Sequence, residues 1–493
     1  MKILIATSEI ADVAPVGGIA EYVFGLATSL LKRGHEVRVA IPFYAYLRDR
    51  QARPVAPRLV VPLGVGASEV TAVAEFSLPP SRDGLVLPVT LLGEHRHFAT
   101  VQAHGQIYQW PNHEPWVAFA RAIVEFLGSS AWRPDVIHCQ DAHTALVPVY
   151  LRHLRNDNRY SSASSANTVL TIHNLLNQGL GPPQILAYAG LPDALFNVAA
   201  FEFYGAASCL KAGLLSADRV NTVSHTYARE ICEGPDFGFG LEGVLRTLRD
   251  DGRLSGIVNG IDEDRWRLDG LHYDGTDRLE SIAAAKRSCR QQFYPRWGWD
   301  DTKEPVISFR GRWDHQKGVE LIGERLERLL DHAKVVVGTW AEPGSTPELR
   351  RCWETLKTVE ARRPGRLLVN PEGVTRVDET ATHYVISDFL LMPSRYEPCG
   401  LTHMECQRYG TIPIVRHTGG LADTVSERVT PRLSSPNGFV FDEYDPDAMI
   451  AAVDRAVSAF RDADSMRVLT GNALRQRNGW DTRVTEYEAL YGA

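Results

Sequence analysis

Arg312 and Lys317 stand in GRWDHQKG (311–318), between the apolar run VISF (306–309) and a helical pattern. Two fixed cations on a strand-to-helix loop suit a diphosphate, which a guanidinium grips with parallel bonds and an ammonium neutralises as a point charge. Lysine is scarce here, eight among 53 basic residues, so one on such a loop stands out. The stretch SRYEPCGLTHMECQRYGTIPIVRHTGGLADTV (394–425) places Glu397 after another apolar run. Cys399, Gly400, Leu401 and Thr402 then open one helix, and Gly419 and Gly420 open a second. The first N–H groups of a helix lack intrahelical partners and favour an anion or sugar hydroxyls. A carboxylate beside them can accept hydrogen bonds from a hexose. A third loop, SEIADVAPVGGIAEY (8–22), carries Gly17 and Gly18 just before a helical pattern, where the backbone can approach a phosphate or a sugar oxygen closely. Two anion-type helix starts in one half of the chain point to a nucleotide diphosphate.

The elements that must position these loops follow one rhythm. MKILIA, a turn, a helical pattern from Ile19 to Arg33 and EVRVAIP make a βαβ unit, and DVIHCQ (135–140), TVLTIH (168–173) and RVNTVS (219–224) repeat it. A second set, VISF, KVVVGT (334–339), RLLVN (366–370), FLLMP (389–393), IPIVR (412–416) and GFVF (438–441), follows the turn-rich VNGIDEDRW (258–266). This pattern predicts an α/β protein of two Rossmann-like domains facing across a deep cleft, with ligands at the carboxyl ends of the strands. The expected domains are 1–256 and 257–472, with a helix over 473–493 crossing back to the first.

Length and charge are those of an ordinary soluble globular protein and exclude other classes. At about 100–200 residues per domain, 493 residues make two or three domains with ample cores. The 53 basic and 60 acidic residues, net −7, are dispersed without blocks, which excludes a nucleic-acid-binding stripe. No run reaches the ~18 apolar residues of a membrane span, and the start reads as a buried strand rather than a signal sequence. The seven cysteines form no metal-type spacing, and their odd number suits the reduced thiols of a cytoplasm.

Loop one, WRPDVIHCQDAHTA (132–145), TVLTIHNLLNQG (168–179), FEFYGAASCLKAGLLSADRVNTVSHTYAREI (201–231), FGFGLEGVL (237–245), LSGIVNGID (254–262), RWDHQKG and the 394–425 block resemble bacterial glycogen synthases and plant starch synthases, in order through almost the whole chain. That resemblance implies a retaining GT-B glycosyltransferase with no metal or other cofactor and a nucleotide diphosphate sugar or cyclitol as donor. It implies that Arg312 and Lys317 hold the diphosphate and that Glu397 lies beside the donor sugar. Cys399, Gly400, Leu401 and Thr402, with Gly17, Gly18, Asn259, Gly419 and Gly420, are implied to frame the donor. His173 matches the histidine of the TIHN motif and is implied to be catalytic. Glu9, Glu21, Asp141 and Asn177 fall on the acceptor side. His138, inside a strand, reads as structural.

The chain also departs from the family pattern. Pro15 stands where the family's KxGGLxDV motif has a lysine that reaches the donor phosphates, and it has neither a side-chain nor a backbone N–H. Ala142, Asn177, Val377, His403 and Gly311 replace a tryptophan, two tyrosines, a glutamine and a serine. These changes predict a working transferase of altered specificity, such as a pseudo-glycosyltransferase joining a cyclitol to an amino sugar through nitrogen. The alternative is an ADP-glucose-dependent glycogen synthase extending α-1,4-glucan. The expected partners are thus a nucleotide-activated sugar or cyclitol and a saccharide or amino-sugar acceptor, with no nucleic acid and no membrane.

Overall fold

Unbroken apolar runs can be buried on both faces only under helices, and parallel pairing provides that cover. The computed structural model describes residues 1–48, 50, 52–64, 68–78, 84–93, 96–110, 112–267, 278–300, 304–339, 346–373 and 379–492. The chain divides into two compact units, Met1–Gly260 together with Trp480–Ala493, and Ile261–Gly479.

Among the described residues of the first unit, nine strands make one sheet. Their order is Leu254–Gly256, Arg219–Thr222, Asn167–Ile172, Val136–Gln140, Lys2–Ala6, Glu36–Pro42, Pro88–Leu92, Ser68–Ser77 and Arg53–Pro62. Pairing is parallel as far as Pro88–Leu92, with Ile3 registered on both Val37 and Val136. The last two strands run antiparallel at one edge. That edge is absent from the sequence expectation. Pro54 and Pro62 lie within its outermost strand, whose register slips around Ala56, and proline is tolerated in a sheet at such an edge.

The second unit is an all-parallel sheet of six strands among the described residues, in the order Leu367–Val369, Lys334–Gly338, Val306–Arg310, Phe389–Met392, Ile412–Arg416 and Phe439–Phe441. The two Rossmann-like sheets are those read from the alternating runs. The helix Ala463–Leu474 stays in this unit, where Thr470 and Leu474 close over Gly410. The chain rejoins the first unit only at Trp480, so the divisions fall at 260/261 and 479/480 instead of 256/257 and 472/473. There the Trp480 ring lies 5.4 Å from Tyr22, the Tyr491 hydroxyl 2.9 Å from His138 Nδ1, and Glu488 pairs with Arg33.

Among the described residues no helix is long and apolar enough to cross a membrane. No group of three or more His, Cys, Asp or Glu side chains among them could hold a metal ion.

Candidate functional site

In the second unit the loop after Val306–Arg310 is anchored by Trp313, which is buried and donates its indole N–H to Leu349 O at 3.2 Å. Asp314 caps the short turn that follows by accepting the Lys317 backbone N–H at 3.0 Å. Gly318, at φ +66°, completes the turn against Pro393 O, where a Cβ would sit only 1.9 Å away. This close approach delivers the lysine to the end of the neighbouring strand. Lys317 Nζ lies 2.7 Å from Glu397 Oε2, and the Ser394 hydroxyl donates to the same oxygen at 2.9 Å. Both ends of the pair are largely buried, with side-chain exposures of 19% and 6%. Arg312, by contrast, is exposed and held by Asp314 Oδ2 at 2.9 Å and Gln316 Oε1 at 2.8 Å.

Around Glu397 the two glycine-bearing helix starts interlock. Leu401 caps the helix Thr402–Gln407, and Cys399 is buried behind it. Gly419, at φ +47°, lies so close that its Cβ would fall 1.8 Å from Glu397 O. The Gly420 N–H donates to that same carbonyl at 3.0 Å. Gly420, expected to meet the donor, therefore spends its N–H inside the protein.

In the first unit Glu9 is 2% exposed and its carboxylate accepts the N–H groups of Val16 at 3.0 Å and Gly17 at 2.6 Å, with the Tyr108 hydroxyl as a further donor. Burial raises the Glu9 pKa, and these three hydrogen bonds oppose it. Gly17 was expected to offer its N–H to a ligand, but Glu9 takes it. Gly18 begins the helix Gly18–Lys32, whose first turn carries Glu21. Pro15 is exposed on the same loop.

Asp141 follows the strand Val136–Gln140 in a left-handed backbone conformation, φ +52°, that aspartate tolerates better than most residues. It is 1% exposed, and its Oδ1 accepts the His173 N–H at 2.6 Å while Oδ2 makes no hydrogen bond. Burial pushes its pKa up to about 7, against the pull of the His173 and Asn174 backbone N–H groups. His173 contacts Gln140 Oε1 through Nε2 at 2.8 Å and meets the Tyr22 ring edge-on at 4.5 Å. Burial lowers its pKa to about 3, so it stays neutral.

Asp141 and His173 are named from the sequence separately, one for the acceptor side and one as catalytic, and neither their hydrogen bond nor their neighbours are read there. His143 packs 4.9 Å from Tyr108 and 4.6 Å from Trp116. Nothing in IYQW (107–110) marks Tyr108 as a partner of Glu9. Asn259 is buried with its Oδ1 unpartnered, whereas Asn177 is exposed on the loop after His173. His138 bridges Tyr491 and Thr171 as a structural residue, and Val377 lies outside the described residues.

Residues 2–247 match the family described as starch synthase catalytic domain, and residues 297–468 match glycosyl transferases group 1. The chain is 35% identical over 508 residues to a glycogen synthase of Geotalea daltonii, covering 100% of this chain and 98% of that protein. It is 35% identical over 505 residues to glycogen synthase 2 of Geobacter sulfurreducens, with the same coverage. The catalytic domain of starch synthase IV from Arabidopsis thaliana, solved with ADP and acarbose, superposes with a TM-score of 0.82 at 27% identity, covering 100% of this chain and 98% of that one.

Proposed function

The chain belongs to the glycogen synthase and starch synthase family of glycosyltransferases and has their GT-B fold of two Rossmann-like domains, and from that premise we propose that it extends an α-1,4-glucan with glucosyl groups from ADP-glucose. The observation that carries this reading is the Lys317–Glu397 pair at 2.7 Å. It sets a cation for a departing diphosphate against a carboxylate for sugar hydroxyls. The ADP and acarbose bound to the starch synthase IV neighbour support an adenine nucleotide donor and an oligosaccharide acceptor. The names of the relatives support glucan elongation over transfer of a cyclitol to an amino sugar.

In this reading the bond from the anomeric carbon to the diphosphate oxygen breaks, the terminal 4-hydroxyl oxygen of the glucan bonds to that carbon and its proton leaves with ADP, and the charge developing on the leaving group dominates the barrier. Lys317 and Arg312 stabilise that charge, Arg312 exchanging Asp314 and Gln316 for phosphate oxygens. Glu397, released from the lysine, accepts hydrogen bonds from the donor sugar, while Cys399, Gly400, Leu401 and Thr402 frame it. Neutral His173, whose one ring N–H goes to Gln140 Oε1, can accept a hydrogen bond from a sugar hydroxyl at Nδ1 without adding charge. Glu21, Asp141 and Asn177 serve the acceptor side, and Glu9 braces the Val16–Gly17 loop. The reaction retains the anomeric configuration and needs no metal.

The test supplies purified protein with ADP-, UDP-, GDP- and dTDP-glucose against glycogen and short maltooligosaccharides. Incorporation is expected to be strongest from ADP-glucose. Product formed only with an amino-sugar acceptor, or no glucan elongation from any donor, would overturn the reading.

A further inference from the structure

His403 is 0% exposed in the first turn of the helix Thr402–Gln407, immediately after the donor-framing residues. Its Nε2 lies 2.6 Å from Thr424 Oγ1. The Thr424 hydroxyl already donates its single proton to Gly420 O, at 2.5 Å. Thr424 must therefore accept from the ring, which fixes His403 as the Nε2–H tautomer and leaves Nδ1 as a lone pair. That Nδ1 is buried without a hydrogen-bond partner. It faces Gly400, whose Cβ would come within 3.2 Å of Nδ1 and 3.1 Å of Glu397 Cγ. Burial, aided by the Lys317 ammonium, lowers its pKa to about 3, so the ring keeps this tautomeric role across the working pH range.

The bonds form one chain. His403 donates to Thr424, Thr424 to Gly420 O, and the Gly420 N–H to Glu397 O at 3.0 Å. Asn437, also buried, holds the Thr424 carbonyl from the other side through Nδ2 at 2.8 Å. The backbones are packed too closely for a side chain to intervene, since a Cβ on Gly420 would lie 2.2 Å from Cys399 O. A shift at His403 is therefore passed to Glu397 and not absorbed by loose packing.

We propose that His403 is a positioning residue for the donor site. Through Thr424 and Gly420 it locks the Glu397–Leu401 loop to the Gly419–Thr424 helix and so sets where the Glu397 carboxylate meets Lys317 and the donor. This role rests on the proposed function, and the test separates the two. His403→Gln, His403→Leu, Thr424→Val and the Leu/Val double variant are compared for kcat, donor KM, ADP affinity by calorimetry and thermal unfolding.

His403→Gln, whose amide can still donate to Thr424, should stay within about threefold of wild type, whereas His403→Leu should lose about tenfold or more in kcat together with ADP affinity. The double variant should be no worse than the poorer single one, because both cut the same chain of bonds. Unchanged kcat and ADP affinity in His403→Leu, equal damage from Gln and Leu, or losses that multiply would each overturn the role. If His403→Leu does not fold, His403→Gln and Thr424→Val carry the comparison. Wild-type protein that turns over no nucleotide sugar would overturn the proposed function instead, and ADP binding to wild type against Thr424→Val would still read the bridge.

Discussion

Glu9 and Glu397 make an instructive pair. Each follows a buried strand, each is nearly inaccessible at 2% and 4% exposure, and each lies against a glycine pair. In the first unit the glycine-loop N–H groups are satisfied by the Glu9 side chain. In the second the corresponding bond goes to the Glu397 main chain, as Gly420 N–H to Glu397 O, and the carboxylate is left to meet Lys317 and Ser394. The first glutamate braces its loop, while the second stays available for chemistry. The residue types are alike although the glycine pair follows Glu9 by eight positions and Glu397 by 22, and the difference lies in which oxygen the backbone donors take.

The largest expected effect breaks the second half of this comparison. Lys317→Ala should lower kcat by about 10²–10³-fold, the cost of removing one group that stabilises developing charge, measured as glucosyl incorporation from ADP-glucose. Activity near wild type would mean that Lys317 only balances Glu397 and does not face the diphosphate. A smaller effect sets the two carboxylates against each other. Glu397→Gln should weaken ADP-glucose utilisation about tenfold by replacing the charged acceptor of the donor's sugar hydroxyls with a neutral amide. Glu9→Gln should instead cost about 1–2 kcal/mol of folding stability by misplacing a donor among three others, and leave ADP affinity within about twofold. Equal shifts in ADP affinity for both variants would erase the distinction.

The smallest effect concerns the other buried carboxyl of the first unit. The Asp141 pKa is raised from 3.8 to about 7, so the folded state favours its protonated form. The stability it contributes is complete below the ordinary value and is lost as pH rises through about 7. Asp141→Asn carries no charge at any pH and can still accept the His173 N–H. Its melting temperature should therefore gain on wild type between about pH 4 and pH 7 and hold that gain above it. A gap independent of pH would show that Asp141 does not titrate in that range.

Much of this architecture was legible beforehand. KILIA, VIHCQ and VVVG are apolar without alternation, which commits them to doubly covered parallel strands. The loops holding Arg312, Lys317, Glu397, Asp141 and His173 follow such strands, so their placement was readable too. The antiparallel edge at Arg53–Pro62 was not, because its prolines argue against a strand unless the edge position is already known. Tyr108 escaped notice for another reason. A tyrosine hydroxyl carries no local signal for the carboxylate it will meet 99 positions away.

By itself, then, the sequence determined two Rossmann-like halves, the loops that carry the charged groups and the resemblance that names the chemistry. These are written in local apolar periodicity and in contiguous motifs. Only the tertiary structure decided that Glu9 is spent on Val16 and Gly17, that Arg312 is held by Asp314 and Gln316, and that His403 reaches Glu397 through Thr424 and Gly420. A backbone donor and each buried acceptor can satisfy only a few partners, and close packing decides which of them come within reach.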